Sequence, residues 1–154
     1  MNKIIDESIK WFNENKNVLW KAYEADKSDF QYEYINLIKI IESYKEKEVM
    51  NEKIGLICYT NGNPYITMHL CMQAILSESR ILICNQNEMN NLNKTIVRIF
   101  KEISNYAPRI EKRITANKLY LFTENDRDKI IVFNDKKRYE TIKSFGLPVI
   151  YKEI

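Results

Sequence analysis

Glycine and proline are scarce, three of each in a chain of 154 residues. So thin a supply of turn formers argues against a loop-rich all-β fold and for helices with short connections. Histidine occurs once, at His69, so any mechanism needing an imidazole base has a single candidate. The cysteines, Cys58, Cys71 and Cys84, are odd in number and show neither CxxC nor Cys/His spacing, which excludes a zinc motif and a disulfide framework. No metal is expected. No uncharged apolar run approaches the ~20 residues that cross a bilayer. The opening Met1-Asn2-Lys3-Ile4-Ile5-Asp6-Glu7 acquires acids too early for a signal peptide. The expectation is a cytoplasmic protein with no membrane partner. Charge of one sign is also lacking: the net charge is +3, and lysine and glutamate are mixed along the chain. Nucleic-acid binders more often carry a basic stripe and a pI above about 9. The densest basic stretches here, Arg109–Arg113 and Lys136–Arg138, are short and read as solvated faces. No nucleic-acid partner is expected.

What is present is ordinary globular material, 45% hydrophobic and 29% charged. One domain over 1–154 is the natural size, and it buries roughly two-thirds of the surface its unfolded chain exposes. Residues 1–50 read as a helical pair. Ile5, Ile9, Phe12, Leu19 and Tyr23 recur at helical spacing from Ile4 to Tyr23. Ser28-Asp29-Phe30-Gln31 has the form of a capping box, opening a second helix with Tyr34, Ile38 and Ile41 on one face.

From residue 54 the texture changes. Ile54–Thr60 is a short, partly β-branched apolar run, as in a strand buried on both faces. Asn61-Gly62 makes a turn, and Asn63-Pro64 supplies an N-cap and a first-turn proline. A helix through Met68, Cys71, Met72 and Ile75 leads to a second strand, Arg80–Cys84. A third helix carries Leu92, Ile96, Ile99, Phe100 and Ile103, and Pro108 bars its continuation. Lys118–Phe122, Ile130–Phe133 and Val149–Tyr151 are further strand candidates. Between the last two, a helix over Lys136–Phe145 is stopped by Gly146 with Pro148 beyond. Alternating strands and helices predict right-handed βαβ units over 54–154. The expected fold is therefore α/β: a Rossmann-like, mostly parallel sheet flanked by helices, with an N-terminal helical pair.

In such sheets ligands lie beyond the carboxyl ends of the strands. That singles out Thr60–Pro64, Asn85–Glu88 and Asn134–Lys136. Thr60, Asn61, Gly62 and Asn63 precede a helix whose free N–H groups and dipole suit an anion or an oxyanion. Asn63 serves equally as a helix cap. Asp135 reads as an N-cap and, alternatively, as a ribose-binding acid. The spacing is neither GxGxxG nor a Walker loop.

The run Ile54–Pro64, the helix ending Met72-Gln73-Ala74-Ile75-Leu76 and the strand Arg80–Cys84 resemble the first βαβ unit of the aldehyde dehydrogenase superfamily. The CoA-acylating members and the glutamyl phosphate reductases look closest. The resemblance covers about residues 1–105. It implies that Asn63 matches the family's oxyanion-hole Asn, whose amide would stabilise a hemithioacetal oxyanion. It places Cys84 or Asn85 where many members have a ribose-binding Lys, with Glu88 near the end of the same motif. Phe122-Thr123-Glu124 is similar to a Phe-Thr-Gly-Ser segment beside the pyrophosphate, but the Gly-Ser is absent. The cofactors implied are NAD(P) or coenzyme A. The nucleophilic Cys and general-base Glu belong to a second half of that family for which this chain has no counterpart.

None of the three cysteines fits the nucleophile's place, and all read as buried thiols. His69 lacks an acid at a fixed offset to orient it, and reads as a satisfied or exposed helix residue. The chain is therefore expected not to be catalytic alone. Two readings stay open. One is a degenerate, non-enzymatic relative of the family. The other is an NAD(P)- or CoA-binding subunit of a split aldehyde dehydrogenase or acyl-CoA reductase, completed by a separate catalytic subunit. A homodimer is the further expectation for an exposed sheet edge.

Overall fold

The protein's structure is a computed structural model that describes residues 2–23, 27–47, 55–58, 63–78, 81–84, 91–111, 130–133, 135–147 and 149–153. Three helices come first: α1 (Asn2–Glu14), α2 (Lys16–Ala22) and α3 (Lys27–Ser43). Then follow β1 (Gly55–Cys58), α4 (Pro64–Ser77), β2 (Ile81–Cys84), α5 (Asn91–Ile103) and β3 (Arg109–Glu111). Last come β4 (Ile130–Phe133), α6 (Lys136–Ser144) and β5 (Val149–Lys152).

The N-terminal pair is thus three helices. The break falls at Asn15, whose side-chain amide donates to the Trp11 carbonyl oxygen at 2.8 Å, competing with the backbone ladder. Helix α3 begins at Lys27, so Ser28 lies inside its first turn rather than ahead of it. The helix α4 starts as its sequence dictates. Asn63 Oδ1 accepts from the Tyr65 N–H at 2.9 Å, and Pro64 takes the first helical position. It ends without glycine, at Glu78 with φ 53°. Helix α6 is capped by Asp135, whose Oδ1 accepts from the Arg138 N–H at 2.9 Å. It stops at Gly146, φ 77°, whose N–H donates to the Lys143 carbonyl oxygen.

The five strands pair in the order β3-β2-β1-β4-β5, every pair parallel. From β1, the connections through α4 and α5 lead to one edge. From β4, the connection through α6 leads to the other. Right-handed crossovers then put α4 and α5 on one face and α6 on the opposite face. Helix α6 packs on β4 and β5.

The balance of these elements corrects the expected fold class. A Rossmann-like α/β domain is organised by its sheet, with helices as the cover. Here six helices hold most of the described residues, and the strands have only three or four residues each. Among the residues whose side chains are described, the contiguous buried core lies among α1 to α5, joined by Tyr44 and Ala107 beyond helix ends, with Ile150 of β5 packed against it. The protein is mainly helical, and the Rossmann-like assignment is set aside. The reason lies in α4. Its buried residues, Thr67, Met68, Leu70, Cys71, Met72, Ala74 and Ile75, cover a wide arc of the helix and leave the Tyr65 and His69 side partly open. A buried arc that wide needs cover from more than one neighbouring helix. Helices α3 and α5 both pack on it, while α1 and α2 pack on α5, making a helix-on-helix body. The strand expected over 118–122 lies outside the described residues.

Candidate functional site

Of the residues singled out beyond the strand ends, Thr60, Asn61, Gly62, Asn85 and Glu88 lie outside the described residues, as does the 122–124 segment. Asn63 and Asp135 are described, and each uses a side-chain oxygen to cap its helix. They follow β1 and β4, which are neighbours in the sheet. Cys58 and Cys84 close β1 and β2. Cys71 is fully buried in the middle of α4, and burial pushes its thiol pKa up, away from the thiolate range. Among the described residues, no group of three or more His, Cys, Asp or Glu side chains is placed to hold a metal ion. No helix among them is long and apolar enough to cross a membrane.

The structure brings together a set that was not foreseen. An open cleft of about 430 Å³ is lined by Asn36, Lys39, Ile40, Ser43, Lys47, Tyr65 and His69. On α3, Asn36, Lys39, Ile40 and Ser43 recur at three- and four-residue spacing and form one face, which Lys47 continues past the helix end. On α4, Tyr65 and His69 are four apart and face that line. Two lysines therefore border the cleft, and no carboxylate is among its described lining residues. The nearest acid in the hydrogen-bond network is Glu33, which accepts from the Tyr65 hydroxyl. Burial and that carboxylate both raise the Tyr65 pKa, so its phenol stays protonated.

His69 is held at the back of this set. The Tyr44 hydroxyl lies 2.8 Å from His69 Nδ1, and the two rings are tilted with centroids 5.6 Å apart. Gln73 Nε2 donates to the same hydroxyl at 3.4 Å. Lys47 Nζ sits 5.2 Å above the Tyr44 ring, a cation–π distance. Desolvation, with the Lys47 charge beside it, lowers the His69 pKa to about 4. Burial raises that of Tyr44 to about 12. Both groups are neutral across the physiological range. The Tyr65 and Ser43 hydroxyls donate to Glu33 and to the Ile40 carbonyl oxygen, so the Asn36 amide and the imidazole are the neutral donors beside two cations, a set for holding an anion.

His69 proves a satisfied helix residue, but its partner is a tyrosine from another helix end. Tyr44 had a signal in the sequence. It continues the buried spacing Phe30, Tyr34, Leu37, Ile41, and a buried phenol needs a partner. Compared with family models, curated proteins and solved structures, the chain matches none of them, so the resemblance to aldehyde dehydrogenases and the NAD(P) binding it implied draw no support from known proteins.

Proposed function

We propose that the chain is a binding domain that is not catalytic alone and that holds a small anionic ligand in the cleft between α3 and α4. One observation carries the reading: Lys39, Lys47, Ser43, Asn36, Tyr65 and a neutral His69 converge on one cleft whose described lining has no carboxylate. Two cations bordering one cleft attract an anion, and the neutral donors add orientation. The buried Cys71 thiol, its pKa raised, is unsuited to act as a nucleophile. As a free thiol it fits a cytoplasmic setting, where cysteines stay reduced.

Calorimetric titration with methyl phosphate tests this directly. The wild-type protein is expected to bind, and the Lys39→Ala/Lys47→Ala double variant to bind at least tenfold more weakly. Both lysines are exposed, so stability should change by no more than about 0.5 kcal/mol. Equal affinity in the two proteins would remove the cleft from consideration.

A second reading places a phosphate-bearing ligand of the coenzyme A class beyond β1 and β4, with a separate catalytic chain completing the activity. It is favoured by the position of Asn63 and Asp135, which begin helices directly after neighbouring strands whose connections lead to opposite edges. Thermal stabilisation by coenzyme A that survives in the double lysine variant would support this second location. Stabilisation lost in that variant would return the ligand to the cleft.

A further inference from the structure

The Tyr44 hydroxyl has one hydrogen and two acceptors within reach, His69 Nδ1 at 2.8 Å and the His69 carbonyl oxygen at 3.3 Å. The ring nitrogen at 2.8 Å is at full hydrogen-bond distance, while the carbonyl oxygen at 3.3 Å lies beyond the usual range for a hydroxyl donor, so the phenol hydrogen is assigned to the ring. Gln73 occupies the hydroxyl from the other side, as a donor to its oxygen. With Nδ1 accepting, the one proton of a neutral imidazole sits on Nε2. A second proton on Nδ1 would turn the phenol hydrogen to the His69 carbonyl oxygen, which at 3.3 Å is a poorer partner.

The titratable groups that bear on this ring point the same way. From α3 and its end come Glu33, engaged with Tyr65, then Lys39, Tyr44 itself and Lys47. On α4 there is Tyr65, and from α5 the charge of Lys101 is felt at Cys71. Lysine is the charged neighbour that acts on His69, and it disfavours the imidazolium.

Resting on the cleft as an anion site, we propose that Tyr44 is a positioning residue that holds His69 as a neutral Nε2–H donor. Among the described lining residues the cationic charge of the cleft then comes from Lys39 and Lys47, and the ligand it matches is a phosphate monoester dianion. Such a group loses its second proton with a pKa of about 6. Affinity for it rises through that range and then holds flat while the lysines stay charged. A histidine titrating at its ordinary value near 6.5 would instead subtract a charge as pH rose, and affinity would fall again.

His69 is the only histidine, so histidine-selective nitrogen labelling gives one ring to follow. The expected spectrum is that of the neutral Nε2–H tautomer from pH 5 to 8. Methyl phosphate should bind at least tenfold more tightly than acetate at pH 7.5. In Tyr44→Phe the ring should titrate closer to its ordinary range, and phosphate affinity should fall at least threefold between pH 6.5 and 8. A wild-type ring protonated on Nδ1, or titrating near 6.5, overturns the proposal, as does a variant whose pH profile parallels the wild type. The wild-type spectrum decides the matter even if the variant does not fold. Absence of methyl phosphate binding to the wild type would instead sink the cleft reading, whatever the tautomer.

Discussion

Asn63 shows how a single residue serves the chain before any ligand is considered. Its side-chain oxygen takes the Tyr65 N–H, one of the four donors a helix start leaves without a partner. Asn63→Ala should therefore cost about 1 kcal/mol of stability, read as a lowered urea midpoint in the absence of ligand. An unchanged midpoint would show that the contact contributes nothing. Residue type announced this role, because Asn before Pro at the head of an apolar run is a helix start in its own right. The same holds for Asp135 at α6 and for Gly146 at its end. Tyr44 differs. Its helical spacing marks it as buried, but nothing local says that its hydroxyl meets His69, 25 positions away.

Between elements, the contact of α1 with α5 rests on large apolar groups. Phe12 and Phe100 are fully buried, with ring centroids 5.3 Å apart and planes inclined at 58°. Phe12→Ala should remove about 3–5 kcal/mol, by lost transfer free energy and the cavity left behind. Denaturant unfolding measures it, and a loss under 1 kcal/mol would mean that α1 is not part of the cooperative core. Most elements were legible because periodicity and punctuation agree. The apolar runs near 55–58, 81–84, 130–133 and 149–152 are strands, and the stripe through Leu92, Ile96 and Phe100 is the buried side of α5. The failures have causes. Asn15 interrupts a stripe whose apolar spacing continues past it. The strand β3, Arg109–Glu111, has two charged residues in three, so it looks like a solvated face, yet edge strands commonly carry charge.

At the scale of the whole molecule, the neutral His69 links folding to pH. Its folded-state pKa, about 4, lies below the ordinary 6.5. Between those values the unfolded chain takes up a proton that the folded chain refuses. Stability is therefore highest above pH 6.5, falls as pH drops towards 4, and stops falling below it on this account. The loss is a few kcal/mol at most and smaller in practice, because solvent partly screens the half-buried ring. His69→Gln should flatten this part of the profile of melting temperature against pH, and an unaltered slope from pH 6.5 to 4.5 would mean that the ring is not held neutral. What the sequence by itself determined are the short-range facts: helix starts, stops, apolar runs and a cysteine in an apolar stretch. Their physics is completed within a few residues, by a cap, a turn or the period of a strand. Only the tertiary structure decided how the wide buried arc of α4 is covered, because α3 and α5 reach it from distant parts of the chain. It alone also made the cleft, since α3 and α4 bring Lys39, Lys47 and His69 together only by packing, and burial rather than residue type keeps the imidazole neutral.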